Sequence, residues 1–393
     1  MRSNRLKKLG ITAVMLWLCS PLVLLAQDSE EHAPKKHPLL VTFDAPDAGK
    51  IDGAAFCFGN CPGTAAVNAN RNGDVTGYYV DDSSAFHGFV RNCDGKLTEF
   101  DAPGATGAGT IAYSINSEGA IAGLFQDANG IFEGFLRSPN GHFTTFTIPH
   151  ESFGPGQGLT GAANINDEGE IAGYFTDSNI VNHGFLRHAD GKIETFDVAA
   201  AGTSPNFPPQ GTVVALESGL SGQGAITGWY FDSSQATHGY VRGKDGAIKT
   251  FDDALGGNGL FQGTLAGSIN SLGEIAGGVL DINNVYHGFV RSRDGAITNF
   301  DAPGAGNTPG QYQGTFAVGI NDAREITAYV TDNNNLTHGA VRDTHGHILL
   351  FDVEAAGTGQ GQGTTPQGIN PGGAVLGYYT DCHNVNHGFL RLP

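Results

Sequence analysis

The sequence predicts an all-β fold, a seven-bladed β-propeller of four-stranded antiparallel blades closed by an N-terminal strand that completes the last blade. Three observations carry this. A His-Gly step, or its counterpart, falls at His87, Glu133, His183, His238, His287, His338 and His387, at intervals of 46, 50, 55, 49, 51 and 49 residues. Each interval holds short alternating apolar runs parted by turn signals, enough for four strands. The last copy stops at Arg391-Leu392-Pro393, one strand short, while an unmatched strand sequence, Leu39 to Phe43 followed by Asp44, stands at the front. A strand lent from the front would remove the open edge of the last blade.

Taken in order, residues 1–26 read as a secretion signal. Arg2, Arg5, Lys7 and Lys8 form a basic start, Ile11 to Leu25 an apolar run, and Ala26 precedes a polar, acidic stretch. Residues 27–38 are expected to be a disordered linker, and 39–393 a single domain. A 393-residue chain would ordinarily suggest two or three domains, but a repeat this small must stack on its neighbours to bury a core. Removing residues 1–26 takes four basic residues and no acidic ones, so a net charge of −18 becomes −22. That balance argues against nucleic acid and anionic membrane surfaces as partners. The expected setting is secreted or periplasmic, with no membrane insertion after cleavage and a monomeric state.

The copy at 160–197 shows the unit. Thr160 to Asn166 is a strand, Asn166 to Gly169 a turn, and Glu170 to Asp177 a second strand. Ser178 to Asn182 is a polar loop, His183 to Arg187 a third strand, Asp190-Gly191 a hairpin turn, and Lys192 to Asp197 a fourth strand. The repeat His-Gly-Phe, followed by a turn and a strand, resembles the HAF-repeat family of bacterial extracellular proteins, whose motif is His-Ala-Phe. The resemblance covers roughly 39–393 and implies an extracellular setting and a propeller-like architecture, with little about chemistry. The middle residue, Gly for Ala, departs from the pattern.

His87, His183, His238, His287, His338 and His387 each follow an Asp by six positions, as in Asp81/His87 and Asp281/His287. A pair present in six blades reads as structural. The Arg that ends the third strand, Arg91 to Arg391, reads the same way. Blade 2 departs twice: His becomes Glu133, and the Asp that ends the fourth strand becomes Thr147. This joint loss predicts that the His and that Asp touch. Blade 6 departs at Ala328 and Ala340, where other blades have Gly and Phe, as in Gly173 and Phe185. These are expected to be diagonal neighbours, the ring covering the glycine.

The longest connections (45–62, 147–159, 198–211, 253–262, 302–313 and 353–362) share a face with the loops between second and third strands, and a ligand is expected there. Gln157, Gln210, Gln262, Gln313 and Gln362, each before Gly, are the predicted ligand-binding residues, a ring of amides around the channel mouth suited to sugar hydroxyls. The opposite face, with tight turns and the Arg ends, reads as a stability face. Cys57–Cys61, or either with Cys382, is a feasible disulfide, and Cys93 is expected outside any bridge.

The favoured function is a secreted binding module for a glycan or a cell-surface protein, and an enzyme is the less favoured class. The alternative is a hydrolase or lyase acting on polysaccharide, with Asp127, Glu133, His150 and Glu151 of blade 2 as acid and base. No metal or cofactor is expected, since no loop has calcium-ligand spacing and the histidines come one per blade.

Overall fold

A computed structural model describes residues 39–50, 61–148, 158–204, 209–216 and 218–393; the expected signal (1–26) and linker (27–38) lie outside them. Among the described residues there are 28 strands and no helix, so the all-β expectation stands. β1 (Leu40–Phe43) comes first. β2 (Gly63–Ala69), β3 (Val75–Val80), β4 (Phe86–Arg91) and β5 (Leu97–Phe100) then pair in succession, all antiparallel. The same four-strand succession recurs over 110–146, 158–196, 210–251, 263–300 and 314–351. Over 363–391 only three strands follow one another, and β1 joins the third of them, Asn386–Arg391. Its register, Leu40↔Arg391 to Phe43↔Gly388, repeats the Ile193↔Arg187 to Phe196↔Gly184 register of a sheet made from consecutive chain.

Consecutive sheets are stitched at one point. The start of each third strand makes a short parallel bridge to the inner strand of the next sheet, as in Thr237↔Gly263 and Tyr286↔Gly314, and Asn386 bridges to Gly63 of β2 in the same way. The bridging glycine has φ of 111° at Gly63, 120° at Gly263 and 122° at Gly314, a left-handed conformation open mainly to glycine. A Cβ there would run into the carbonyl oxygen of its bridge partner. This is the reason for glycine in the recurrent Gln-Gly-Thr.

The core lies between sheets. The Phe that ends a fourth strand packs edge-on against the aromatic residue of the next sheet's third strand, as Phe43 on Phe89, Phe100 on Phe135, Phe251 on Phe289 and Phe351 on Phe389, while Phe300 meets a strand with Ala340 at that position. Phe89, Phe135, Phe289 and Phe389 are fully buried, each burial contributing about 1.5–3 kcal/mol. The same fourth-strand Phe receives the next sheet's Arg guanidinium over its ring, Arg137 over Phe100 at 4.6 Å and Arg91 over Phe43 at 4.9 Å. It also covers the glycine of its own third strand: a Cβ on Gly288 would lie 2.7 Å from the Phe300 ring. That contact explains Gly in place of Ala within the motif.

One expectation needs correcting. Gly173 and Phe185 are direct cross-strand partners and not diagonals, as are Ala328 and Ala340. The aromatic ring faces the glycine directly, and in blade 6 a methyl on each strand takes the place of the ring and the bare glycine.

Candidate functional site

The loop between second and third strands is held by its Asp. Asp281 accepts the N–H groups of Asn283 and Val285 at 2.8 Å, and Asp332 does the same for Asn334 and Leu336. Its second oxygen lies 3.5–3.8 Å from Nε2 of the His that follows, as in Asp81/His87 and Asp281/His287. Nδ1 of that His meets the Asp ending the fourth strand at 2.7–3.1 Å, as at His238/Asp252 and His338/Asp352. The joint loss in blade 2 pointed to this contact, and it is present in all six other sheets, including His387 with Asp44 across the two ends of the chain. In four of these sheets the imidazole also stacks on a second-strand aromatic, as Tyr79 on His87 at 4.8 Å and Tyr230 on His238 at 4.9 Å, while Val279 and Val330 face His287 and His338. This stacking was not foreseen. The hydrogen bond that each imidazole donates to its fourth-strand Asp holds His183, His287 and His387 above the ordinary histidine pKa, against the opposing effect of burial. These histidines are structural clamps.

The glutamines do not ring an open mouth. Gln210 and Gln313 are buried, at 1% exposure each, and their amides are already used. Oε1 accepts a backbone N–H of the connection itself, from Ser204 to Gln210, Gly259 to Gln262, Thr308 to Gln313 and Gly359 to Gln362. Nε2 donates across to the loop between second and third strands, to Asn284 from Gln262, Asn335 from Gln313 and Asn384 from Gln362. Each of these glutamines staples a connection to the loop beside it, and a buried amide whose donors and acceptor are satisfied has none left for a sugar. Gln157 lies outside the described residues. The Thr that completes the motif is likewise used: Thr264 Oγ1 accepts Asp253 N–H, and Thr364 Oγ1 accepts Val353 N–H.

The residue just before the glutamine is the one that stands out. At Phe261, Tyr312 and Gly361 the backbone is left-handed, φ 64°, 55° and 76°. In each, its N–H donates to the carbonyl of the neighbouring loop, at Gln235, Asn284 and Asn335. Glycine suits this position, and two loops carry large aromatics there instead. Tyr312 is 49% exposed and Phe261 36%, with Leu260 and Ile282 also exposed alongside. A bulky residue at positive φ is strained. Aligning the loops on Gln-Gly would have shown it.

In blade 2, Asp127 and Glu133 are neighbours, as expected. Asp127 is lowered, first by the Ile131 N–H, and its oxygens also accept from Asn129. Glu133 is raised, by burial and then by the Asp127 charge. His150 and Glu151 lie outside the described residues, so the four-residue constellation is not assembled among those described.

The turn face is not only a stability face. A cavity of ≈ 180 Å³ opens at the hub, lined by the turns that end the inner strands, and a groove of ≈ 600 Å³ runs beside it between the fourth and fifth sheets. Asparagines at those turns bond to the next turn's carbonyl, Asn270 to Asn321 and Asn370 to Asn70. Cys382 is an exposed free thiol, so no bridge joins it to Cys57 or Cys61.

No family model matches the chain, and no curated protein matches it. Among solved structures the chain is similar to puromycin hydrolase, with a TM-score of 0.51 at 14% identity, covering 86% of this chain and 52% of that one. It is also similar to the BP39L lectin from Burkholderia pseudomallei, with a TM-score of 0.49 at 8% identity over 83% of this chain and 94% of that one. For TolB from Acinetobacter baumannii the TM-score is 0.45 at 13% identity, over 70% of this chain and 62% of that one. At such identities the likeness to the hydrolase is one of fold. The chain spans about half of the hydrolase and 62% of TolB.

Proposed function

We propose that this chain is an exported binding propeller, seven blades closed into a ring, holding a glycan on its long-loop face against Phe261 and Tyr312. Three observations support closure. β1 pairs with Asn386–Arg391, Asn386 bridges to β2, and Arg91 stacks on Phe43, so the contacts between successive sheets recur between the last and the first. Export to the periplasm or beyond is supported by the basic and apolar pattern of 1–26; Cys57, of the expected Cys57–Cys61 bridge, lies outside the described residues. Membership of the HAF-repeat group rests on the His-Gly-Phe repeat. A monomer is the state proposed.

One observation carries the ligand site: exposed aromatics sit at a left-handed position for which the sister loop uses Gly361. Left-handed backbone costs a non-glycine residue roughly 1–2 kcal/mol; Tyr312 keeps 49% of its surface in solvent, and Phe261 keeps 36% while packing edge-on against Phe231. Their flat faces suit the apolar faces of sugar rings, and exposed Asn283, Asn307 and Asn333 nearby offer polar partners for hydroxyls. Asp127 is bound up in its own turn, which favours binding over polysaccharide cleavage at blade 2.

The test is a glycan array with wild type, Phe261→Gly and Tyr312→Gly. Glycine fits the backbone at both positions, so each variant should melt at or above the wild-type temperature while glycan binding falls about tenfold or more. Absence of any glycan ligand, or binding unchanged in both variants, overturns the assignment.

A further inference from the structure

We infer a second site on the opposite face: the groove between the fourth and fifth sheets binds the carboxylate of an acidic, uronate-bearing glycan. This junction differs from the one before it in its charges. Between the third and fourth sheets, Arg242 and Lys244 are neutralised internally. The Arg242 guanidinium bonds Glu194, Lys244 Nζ lies 2.8 Å from Glu168, and His188 stands 3.4 Å from Glu170 and 3.7 Å from Glu194. One sheet further on, the two cations recur as Arg291 and Arg293. Every partner is replaced: Glu168 by Gln223, Glu170 by Ala225, Glu194 by Lys249, and His188 by Gly243.

The consequence is visible as space and charge. All six of these residues line one groove of ≈ 600 Å³. Three cations now face it in a chain with only 21 Lys and Arg against 39 Asp and Glu. The lining also holds two carboxylates, Asp245, which accepts Ala247 N–H, and Asp294, which accepts Ser292 Oγ and Ala296 N–H and also acts on Arg291, so three cations stand against two anions. A ligand carboxylate seated where Glu194 sits one junction earlier would meet Arg291 and Lys249, and guanidinium is well shaped for it. Gln223 and Ser271 in the same lining bring an amide and a hydroxyl, the partners a sugar ring asks for and a peptide carboxylate does not. The site goes beyond the aromatic loops and does not depend on them.

The experiment is calorimetric titration of the full chain with tetragalacturonate at low salt, with a neutral tetrasaccharide and tetraglutamate as comparison probes. Wild type should bind tetragalacturonate with an affinity that falls as salt rises. Lys249→Glu restores the carboxylate of the preceding junction beside Arg291; it should weaken binding about tenfold or more without lowering the melting temperature. Arg293→Ala should weaken it as well, and Phe261→Gly should leave it intact, which separates this site from the loop site. No binding by wild type, equal binding by Lys249→Glu, or binding of the neutral sugar at equal strength overturns the inference. Tetraglutamate binding as tightly as the uronate overturns the glycan assignment.

Discussion

A single phenylalanine per sheet couples three contacts: it caps a glycine in its own sheet, packs on the next sheet's aromatic ring, and carries that sheet's arginine. The sequence displays the phenylalanine, the glycine and the arginine in every copy, with the third-strand aromatic replaced by Ala340 in blade 6, yet only the packing explains why. The histidine clamp was partly legible, because blade 2 lost both His and Asp together; its aromatic stacking was not, since the stacked residue changes type between copies. The clamps make stability depend on pH. His183, His287 and His387 are raised by their Asp partners, so the folded state holds the proton more tightly than the unfolded chain. Their stabilisation is complete below the unfolded value of about 6.5 and is lost as pH climbs through the raised folded value. The urea midpoint should therefore fall between about pH 6 and pH 9. Glu133→His with Thr147→Asp rebuilds the missing clamp and should add about 1 kcal/mol at pH 6 and steepen that fall. A pH-independent midpoint in both proteins would refute the clamp energetics.

At the scale of the element, Gln-Gly-Thr is a joint. The glutamine staples the connection, the glycine makes the bridge to the preceding sheet, and the threonine accepts the N–H where the fourth strand leaves. The recurrence of the motif was plain in the sequence, but its use was misread as a binding ring, because recurrence alone does not say whether an amide faces water or a backbone. Gln313→Leu should cost about 1–3 kcal/mol, since Thr308 N–H and the Asn335 side chain lose their partner. Hydrogen exchange should quicken at Thr308 while protection in Gly314–Ile320 persists; unchanged exchange at Thr308 would count against the staple. The turn face reads from the sequence as suited to stability more than recognition, and its groove was not foreseen, for a physical reason. The groove there arises from what one junction lacks, and a missing carboxylate is seen only once its neighbours are placed.

For the whole molecule, the strand exchange between the two ends was the most legible feature, because a missing fourth strand at one end and a spare at the other are countable. The register Leu40↔Arg391 to Phe43↔Gly388 agrees with it. If that seam completes the ring, it is the only place where a blade is held without a covalent turn between its third and fourth strands. Val41→Pro, placed in the middle of β1, should lower the melting temperature and expose the Asn386–Arg391 edge to pairing between molecules. Size-exclusion chromatography should then show dimers or larger species; a monomer melting like wild type would mean the seam contributes little.

The seam keeps the register that a continuous hairpin has elsewhere, so the blade does not register where the polypeptide is cut. On the proposed ring, a circular permutant with a five-residue turn joining Arg391 to Leu40, as between Arg187 and Ile193, and new termini opened at Asp294-Gly295 describes the same object, rotated about its axis.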